Sequence, residues 1–424
     1  MTSLINAKMD LIHVSTNGSS STSMPLKEGD RGISAKPNQA LEHVLILQGG
    51  GSLGAFGCGV FKALAGSKLR NIDIVAGTSI GGVNAAIIAG SKSDRPEESL
   101  EQFWLELAEN SSSYDFSVAK PMPAGFLDFW APSQDRAMYK ENTNSVLSFY
   151  ESASYGNPKM FVPRWLPTQA LKDPYFLVPQ KWTYIYDLGP LAKTLDRYID
   201  YSKLMPGAHP NSRLLLTAVN VLTSEPLTFD SSKQKITPKH VLATSAYPLY
   251  FFPWVEIEKG LYCWDGGLLS NTPLREVIDA SPVADKKIIV VENYPKTIES
   301  LPQNLPEVLH RARDIIFSDK TLHNVKMSKV ITKYLRFIDE LYEIVEEHVD
   351  KSKLDSETRR MIQGKYKKFK MERGAEIKSI RYITREEKHP HIYENADFSV
   401  KTIKNSIREG ERRTKEVLRI RGEE

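Results

Sequence analysis

Three short stretches of the sequence carry residue types that could do chemistry together. Three consecutive glycines follow an apolar segment, a Gly-x-Ser-x-Gly pattern surrounds Ser79, and Asp265 is followed by two more glycines. A serine hydroxyl becomes a nucleophile when a base takes its proton, and a carboxylate can be that base. Glycine lets backbone N–H groups come close to a substrate oxygen, where they stabilise developing negative charge. The combination predicts cleavage of an acyl ester.

The Gly-x-Ser-x-Gly pattern lies between an apolar strand and a small-residue helix. The strand pattern runs to Ala76, Ser79 stands in the turn, and the helix pattern continues to Gly90. A nucleophile in this context sits in a strained turn at a helix N-terminus, and the residues two before and two after it must be small. Gly77 and Gly81 occupy those two positions. The pattern therefore predicts a nucleophilic serine, and the alternative is a chance Gly/Ser turn.

The glycine run after the first predicted strand permits two interpretations. Together with Gly54 it matches the dinucleotide-binding fingerprint, in which the loop would hold a pyrophosphate. That interpretation needs an acidic residue at the end of the second strand, and Asp73 lies before the apolar run of that strand ends. We therefore expect the N–H groups of Gly49, Gly50 and Gly51 to form an oxyanion hole beside the nucleophile.

The base that the predicted nucleophile needs has two candidate types. Asp265 ends a short aromatic strand, and Gly266 and Gly267 allow close backbone approach, so its carboxylate can take the serine proton directly. A plain Asp-Gly turn between strands is the alternative reading of this stretch. A Ser-Asp-His order that uses His310 or His323 is the other possibility. None of the nine histidines lies in an evident active-site turn, which favours the aspartate.

Composition narrows the class of protein. The chain has 424 residues and a net charge of +4, which gives no indication of a nucleic-acid partner. Its two cysteines, Cys58 and Cys263, exclude a disulfide framework, fit a reducing compartment and have no metal-ligand spacing. The sequence shows no secretory signal and no apolar run of about 18 residues. We therefore expect a cytoplasmic protein, at most peripheral to a membrane, without a structural metal.

Alternating strand and helix patterns predict an α/β fold with a mostly parallel, doubly wound sheet and helices on both faces. Residues 1–40, rich in Ser, Thr, Asn and Gly, are expected to form a disordered N-terminal arm, and residues 41–300 the catalytic domain. The Pro- and aromatic-rich stretch at about 114–186 is either an irregular insertion packed on the core, or a lid or apolar surface that faces the substrate. The predicted strands include Val44–Gln48, Pro226–Asp230, Lys286–Glu292 and Ile377–Ile383.

Residues 301–424 have the pattern of a charged, helical C-terminal region. It carries basic clusters at Lys365–Lys370 and Gly410–Gly422, with acidic residues interspersed. The clusters are either solvated helix faces or a surface for peripheral contact with an anionic membrane.

The glycine loop, the Gly-x-Ser-x-Gly turn and the Asp-Gly-Gly, in this order, resemble the patatin-like phospholipase family, and its microbial branch in particular. The stretch "ATSAYPLYFFP" resembles a further family segment, with Thr244 in place of its first serine, and "SNTPL" resembles another. The likeness covers about Glu42 to Pro295. The resemblance implies that Ser79 is the nucleophile and Asp265 the base, with the glycine loop as the oxyanion hole. The sequence departs from the plant and animal members at Leu53, where they carry Arg or Lys. The C-terminal region resembles one of unassigned function in microbial members.

By this resemblance the protein is a lipid acyl hydrolase that releases free fatty acids from phospholipids or other acyl lipids, with no metal or organic cofactor. Leu53 removes a cation that could help to bind an anionic phosphate head group. Two alternatives remain: an esterase for other esters such as polyhydroxyalkanoate, and a non-catalytic membrane-binding protein. An aspartate base needs a raised pKa and hence apolar surroundings, for which Phe252, Tyr262 and Trp264 are candidates. The sequence specifies no oligomeric state.

Overall fold

The computed structural model of the protein describes residues 41–109, 152, 155–166, 176–208, 212–281, 284–318, 321–348, 355–372, 376–386 and 394–419. The predicted N-terminal arm, residues 1–40, lies outside the described residues. Most of the predicted insertion at about 114–186 also lies outside them.

The strands form one large sheet and one small sheet. They are β1 (Leu41–Leu47), β2 (Ile74–Gly77), β3 (Val162–Pro163), β4 (Tyr186–Asp187), β5 (Arg213–Asn220), β6 (Pro226–Asp230), β7 (Val255–Glu258), β8 (Leu261–Asp265), β9 (Asp285–Glu292) and β10 (Ile377–Thr384). The large sheet has the order β10-β9-β1-β2-β5-β8-β7, with β6 also paired to β5, while β3 pairs with β4. All pairs from β10 to β5 are parallel, whereas β6, β7 and β8 pair antiparallel. The predicted mostly parallel α/β sheet is therefore confirmed, with an antiparallel section beyond β5.

Helices follow most of the strands, and three of the described helices stand in succession between β9 and β10. The described helices are α1 (Gly54–Ala65), α2 (Ile80–Ala89), α3 (Pro96–Glu109), α4 (Gly189–Tyr198), α5 (Pro238–Ser245), α6 (Leu274–Ala280), α7 (Leu305–Phe317), α8 (Thr321–His348), α9 (Ser356–Glu372) and α10 (Val400–Arg419). Among them, no helix combines the length and the apolar character that crossing a membrane requires.

The large sheet is buried on both faces. Along β1, Leu45 and Leu47 belong to one apolar cluster while Val44 and Ile46 belong to another, because successive side chains of a strand point to opposite faces. The first cluster is the larger and includes residues of α1, α2, α3, α4, α5 and α10. The second includes residues of α6. Burial on both faces explains why β1 ends in a continuous apolar run rather than an alternating one.

The last described strand and helix join these same layers. The predicted strand at 377–383 is confirmed as β10, which pairs in parallel with β9. Helix α10 crosses α1 where two glycines meet. A Cβ on Gly59 would lie 1.9 Å from the Ile407 carbonyl oxygen, and one on Gly410 would lie 2.2 Å from the Phe56 carbonyl oxygen. Neither position has room for a side chain. The division of the chain at residue 300 stays a prediction.

Candidate active site

Ser79 lies in a strained turn between β2 and α2. Strand β2 ends at Gly77, α2 begins at Ile80, and Ser79 has φ 56° and ψ −133°, a backbone conformation that residues with side chains rarely adopt. A Cβ on Gly77 would lie 2.2 Å from the Gly81 carbonyl oxygen, and one on Gly81 would lie 2.1 Å from the Leu47 carbonyl oxygen. Strand and helix therefore pass too closely for a side chain at either glycine.

Strand β5 brings Asp265 beside this turn. Strand β2 pairs with β5 at Gly77 and Leu216, and β8 pairs with β5 at Asp265 and Ala218. The turn after β2 and the end of β8 thus flank the same stretch of β5. Ser79 and Asp265 consequently border one cavity.

Asp265 is a buried carboxylate with one free oxygen. Its side chain is fully buried. Its Oδ1 accepts the backbone N–H of Gly267 at 2.7 Å, and its Oδ2 has no hydrogen-bond partner among the described residues. Burial raises the pKa of Asp265 from its ordinary 3.8 to about 7, although the Gly267 N–H and the nearby Ser79 hydroxyl pull it back in part. Asp265 can therefore exchange a proton near neutral pH, with Oδ2 as the available atom.

Asn293 orients the peptide groups of the glycine loop. Its Nδ2 donates to the carbonyl oxygens of Gln48, at 3.0 Å, and Gly49, at 3.1 Å. In a trans peptide the carbonyl and the following N–H point in opposite directions, so the Gly50 N–H points away from Asn293. Among the described residues nothing accepts a hydrogen bond from this N–H. Gly50 and Gly51 border the cavity.

The first glycine of the loop is placed differently from the other two. Gly49 donates its N–H to the Asn271 carbonyl oxygen at 3.4 Å, and it is not among the residues that border the cavity. A Cβ on Gly49 would lie 2.8 Å from the Cβ of Ser79. Gly49 therefore permits the close approach of the loop to the serine, while its amide is turned to another neighbour.

Gln48 ties the glycine loop to three distant segments. This side chain is buried, and its Nε2 donates to the Thr272 hydroxyl and to the Phe317 carbonyl oxygen, both at 3.0 Å. Its Oε1 accepts the backbone N–H of Asn293 at 2.7 Å. The loop after β1 is thus held by the segments after β8 and β9 and by the end of α7.

A cavity of about 220 Å³ opens over these groups, and its lining is mainly apolar or aromatic. The aromatic and aliphatic side chains among its lining are Ile80, Met160, Phe161, Tyr186, Tyr247, Tyr250, Phe251, Phe252, Tyr294, Phe317, Ala396 and Phe398. Asp265 is the one carboxylate in the described lining, which contains no lysine, arginine or histidine. An apolar chain attached to an ester fits this lining.

The source of the apolar surroundings differs in part from the sequence prediction. Phe252 borders the cavity, as predicted, but Tyr262 and Trp264 do not. They alternate with Asp265 along β8, and successive side chains of a strand point to opposite faces. Met160 and Phe161, from the described part of the predicted insertion, border the cavity instead. This favours the interpretation in which that stretch faces the substrate.

His310 is engaged away from the cavity. Its Nδ1 lies 3.0 Å from Arg313 Nη2, and its Nε2 lies 3.3 Å from Asp314 Oδ2. The side chain of His323 lies outside the described residues. His310, Asp314 and Glu394 present potential metal-ligand atoms within 4.8 Å of one another. Arg313 donates to both carboxylates at 2.8 Å, so a guanidinium already supplies the positive charge that a metal would bring.

Among the cavity-lining residues that sequence reasoning missed are Asn271, Tyr294, Asn395 and Phe398. A signal for Tyr294 was present, because it follows β9, and β9 and β1 are parallel neighbours whose carboxyl ends meet at one edge of the sheet. Asn271 stands in the stretch "SNTPL" after the Asp-Gly-Gly. Asn395 and Phe398 have no local sequence signal, since only the path of the chain after β10 brings them here.

Two positions where the sequence departs from the family pattern lie beside the site. Leu53 is buried in a small apolar cluster that includes Tyr247 and Tyr294, so this position provides no cation and has surroundings unsuited to one. Thr244 replaces a serine of the family segment, and its Oγ1 accepts the backbone N–H of Ser79 at 3.2 Å. The threonine hydroxyl thus helps to fix the strained turn.

The sequence matches the family model described as patatin-like phospholipase over residues 45–278, more than half of the chain. A cGAMP-activated phospholipase from Vibrio cholerae serotype O1 is 24% identical over 292 residues, which cover 62% of this chain and 67% of that protein. Among solved structures, VipD from Legionella pneumophila has a TM-score of 0.35 at 15% identity and covers 90% of this chain and 67% of its own. Full-length ExoU in complex with SpcU, from Pseudomonas aeruginosa, has a TM-score of 0.23 at 18% identity. The match covers 66% of this chain and 48% of that chain.

Proposed function

The chain belongs to the patatin-like phospholipase family, and we propose that it is a lipid acyl hydrolase that cleaves carboxylic esters through a Ser79–Asp265 dyad. Membership of the family implies hydrolase activity. One observation carries the finer proposal: a serine in a strained turn and a fully buried aspartate with a raised pKa border the same apolar cavity. The products are a free fatty acid and an alcohol or lysolipid.

In the first half of the reaction, Asp265 Oδ2 takes the hydroxyl proton of Ser79 while the serine oxygen attacks the ester carbon. An aspartate at its ordinary pKa is a weak base, and burial makes this one stronger near neutral pH. The N–H groups of Gly50 and Gly51 donate to the oxygen that becomes negative. Gly49 shapes the loop, because its own N–H is turned to Asn271.

In the second half, the tetrahedral intermediate collapses and Asp265 returns its proton to the leaving alcohol. An acyl group is then bonded to Ser79. A water molecule enters, loses a proton to Asp265 and attacks the acyl carbon, and the fatty acid leaves as Ser79 regains its proton. These steps require no metal and no organic cofactor.

The lining of the cavity bears on the choice of substrate. With no cationic side chain in the described lining and Leu53 buried among apolar groups, the site favours the acyl part of a substrate over an anionic head group. Phospholipids remain substrates if their head group stays outside the cavity. The alternatives are an esterase for other esters such as polyhydroxyalkanoate, and a non-catalytic membrane-binding protein. Fatty-acid release from phospholipid, triacylglycerol and polyester, measured side by side, separates the three.

Single substitutions test the dyad directly. Ser79→Ala should abolish hydrolysis of a chromogenic short acyl ester, because no other described side chain in the cavity is paired with a base. Asp265→Asn should lower the rate by roughly a hundredfold to ten-thousandfold, since an amide keeps the shape but cannot accept the proton. His310→Gln is the matched control and should keep most of the activity. Folding of each variant is checked by circular dichroism.

Two outcomes would contradict the dyad. A folded His310→Gln or His323→Gln protein as inactive as Ser79→Ala would favour a triad with an imidazole base. A fully active Ser79→Ala protein would end the serine-hydrolase proposal altogether.

We also propose that the C-terminal helices make peripheral contact with an anionic membrane, in the cytoplasm. Helix α8 exposes apolar side chains at helical spacing, namely Val330, Tyr334, Phe337, Leu341 and Ile344. Helix α9 stacks on α8 through Tyr366 and Tyr342, whose ring centroids are 3.6 Å apart, and it carries the exposed Lys365, Lys367 and Lys368. An apolar stripe beside basic side chains is typical of helices that lie at a lipid surface.

Cosedimentation with anionic vesicles at low salt tests this contact. Phe337→Asp should reduce binding several-fold and leave hydrolysis of a soluble ester unchanged. Leu222→Asp, at an exposed leucine in the turn after β5, is the control and should bind like the wild type. Equal binding by all three proteins would contradict the proposal.

A further inference from the structure

A segment outside the family-matched residues forms part of the cavity wall. The match ends at residue 278, whereas Asn395, Ala396 and Phe398 border the cavity. This wall segment, residues 394–398, lies between β10 and α10, and α10 is packed tightly on α1. The cavity is therefore shaped by residues that the family motifs do not include.

The wall segment lies directly against the glycine loop. The Ser52 hydroxyl donates to the Glu394 carbonyl oxygen at 2.6 Å. A Cβ on Gly51 would lie 2.2 Å from the Asn395 carbonyl oxygen, so the two backbones are in contact there. The Asn395 Nδ2 donates to the Tyr294 hydroxyl at 2.7 Å. These contacts fix the wall segment relative to the loop after β1.

Buried charges hold the same segment from the other side. Arg313 donates to the Glu394 carboxylate at 2.8 Å and also to the Asn395 side-chain oxygen. Arg385 donates to the Glu394 carboxylate at 3.0 Å. Removing one partner from a buried, hydrogen-bonded charge pair is strongly unfavourable, so this network resists displacement of the segment. Phe398 therefore has a fixed place in the cavity wall.

The Phe398 ring is one of three aromatic rings that form an apolar wall. It is 2% exposed, and its centroid lies 6.5 Å from that of Phe161, edge to face. The Phe161 ring in turn lies 5.5 Å from that of Phe252, again edge to face. Such contacts are favourable and hold each ring in a narrow range of orientations. The three rings limit the apolar space in the cavity that Ser79 borders.

We propose that the Phe398 ring sets the length of the acyl chain that the cavity accepts. The proposal rests on the acyl-hydrolase function proposed above. The cavity measures about 220 Å³. A space of this size holds one acyl chain of limited length. A chain of greater length must displace the ring or leave its end outside the cavity.

Two substitutions at this position should move the chain-length preference in opposite directions. The substrates are chromogenic esters of butyrate, octanoate, dodecanoate and hexadecanoate, and the measured quantity is kcat/KM for each. Phe398→Leu enlarges the cavity. The kcat/KM for the dodecanoate ester, divided by that for the butyrate ester, should therefore rise by about fourfold for each further methylene that is buried. Phe398→Trp narrows the cavity and should lower the same ratio. Phe103→Leu is the control, because Phe103 is equally buried in the core but does not border the cavity.

The wild-type protein gives a second test that does not depend on the folding of a variant. Inhibition by saturated fatty acids should tighten with each added methylene among the shorter acids and level off before hexadecanoate. Inhibition that keeps tightening in even steps to hexadecanoate would overturn the proposal. The proposal would also be overturned if Phe398→Leu lowered kcat/KM for all four esters by one common factor. That uniform loss is the result expected for the control, Phe103→Leu.

The outcomes also separate this proposal from the one on which it rests. If the wild type cleaves the esters and Ser79→Ala does not, the function stands and the chain-length profile alone decides the role of Phe398. If the wild type cleaves none of the esters, both proposals fail together.

Discussion

Replacing Asp265 by asparagine should stabilise the folded protein at neutral and alkaline pH while it removes activity. Burial raises the pKa of this carboxyl from its ordinary 3.8 to about 7, so between these values the unfolded chain loses a proton that the folded protein keeps. The free energy of unfolding of the wild type therefore falls as the pH rises from about 4, and stops falling above about 7. The pKa difference of roughly three units, at about 1.4 kcal/mol per unit, lowers the free energy of unfolding by on the order of 4 kcal/mol. Asparagine does not titrate and avoids this loss.

Urea unfolding followed by circular dichroism, at several pH values between about 4 and 9, measures this effect. The asparagine carbonyl can still accept the Gly267 N–H, so the largest part of the difference comes from the charge. Ser79→Ala is the matched control, because it is also inactive but retains the buried carboxyl. Its stability should depend on pH as that of the wild type does, whereas the Asp265→Asn curve should lie above both by a gap that widens up to pH 7.

A constant gap between the wild type and Asp265→Asn across the whole pH range would refute the reasoning. It would mean that the folded and unfolded states hold this proton equally well. The aspartate would then have its ordinary pKa and would be a weak base near neutral pH.

Further predictions concern activity, packing and metal dependence. The kcat/KM of ester hydrolysis should fall about tenfold per pH unit below about 7, because protonated Asp265 cannot accept the serine proton. Gly59→Ala should lower the free energy of unfolding, measured in urea, by about 2 kcal/mol or more, because its Cβ would meet the Ile407 carbonyl oxygen. Gly364→Ala is the control, because a Cβ there has open space in α9. It should raise the free energy of unfolding by up to about 1 kcal/mol, since alanine favours a helix more than glycine does. Gly50→Val, if folded, should lower kcat in the same ester assay by filling the oxyanion site. EDTA should leave the initial rate unchanged, and a rate that EDTA abolishes would contradict the proposed mechanism.

The elements that carry the proposed dyad could be predicted because local patterns determine them. The strand predicted at Pro226–Asp230 has those bounds in the structure, and the one predicted at Lys286–Glu292 begins one residue earlier. Burial on both faces gives parallel strands unbroken apolar runs, which remain visible without knowledge of their neighbours. The strained conformation of Ser79 likewise follows from the glycines on either side of it.

The partners of the glycine loop could not be predicted in the same way. Asn293 orients the loop and Phe398 borders the cavity, yet neither belongs to a motif with the residues that it contacts. Their positions follow from the strand order, which places β9 beside β1 and β10 beside β9. A sequence pattern predicts the strands. It does not predict the order of the strands in the sheet, and therefore not which loops lie next to one another. The antiparallel section beyond β5 was unpredicted for the same reason.

The joining of β10 to β9 and of α10 to α1 has a consequence for the synthesis of the protein. A nascent chain that has grown only to about residue 370 contains Ser79, Asp265 and the glycine loop, but β9 still forms an open sheet edge and Gly51 lacks its neighbour Asn395. Pairing of such distant segments comes late in folding, because a long loop of chain must first be closed. The cavity is therefore completed only when residues 377–419 have left the ribosome. A protein built in this way has no finished cavity around Ser79 and Asp265 while it is still being translated.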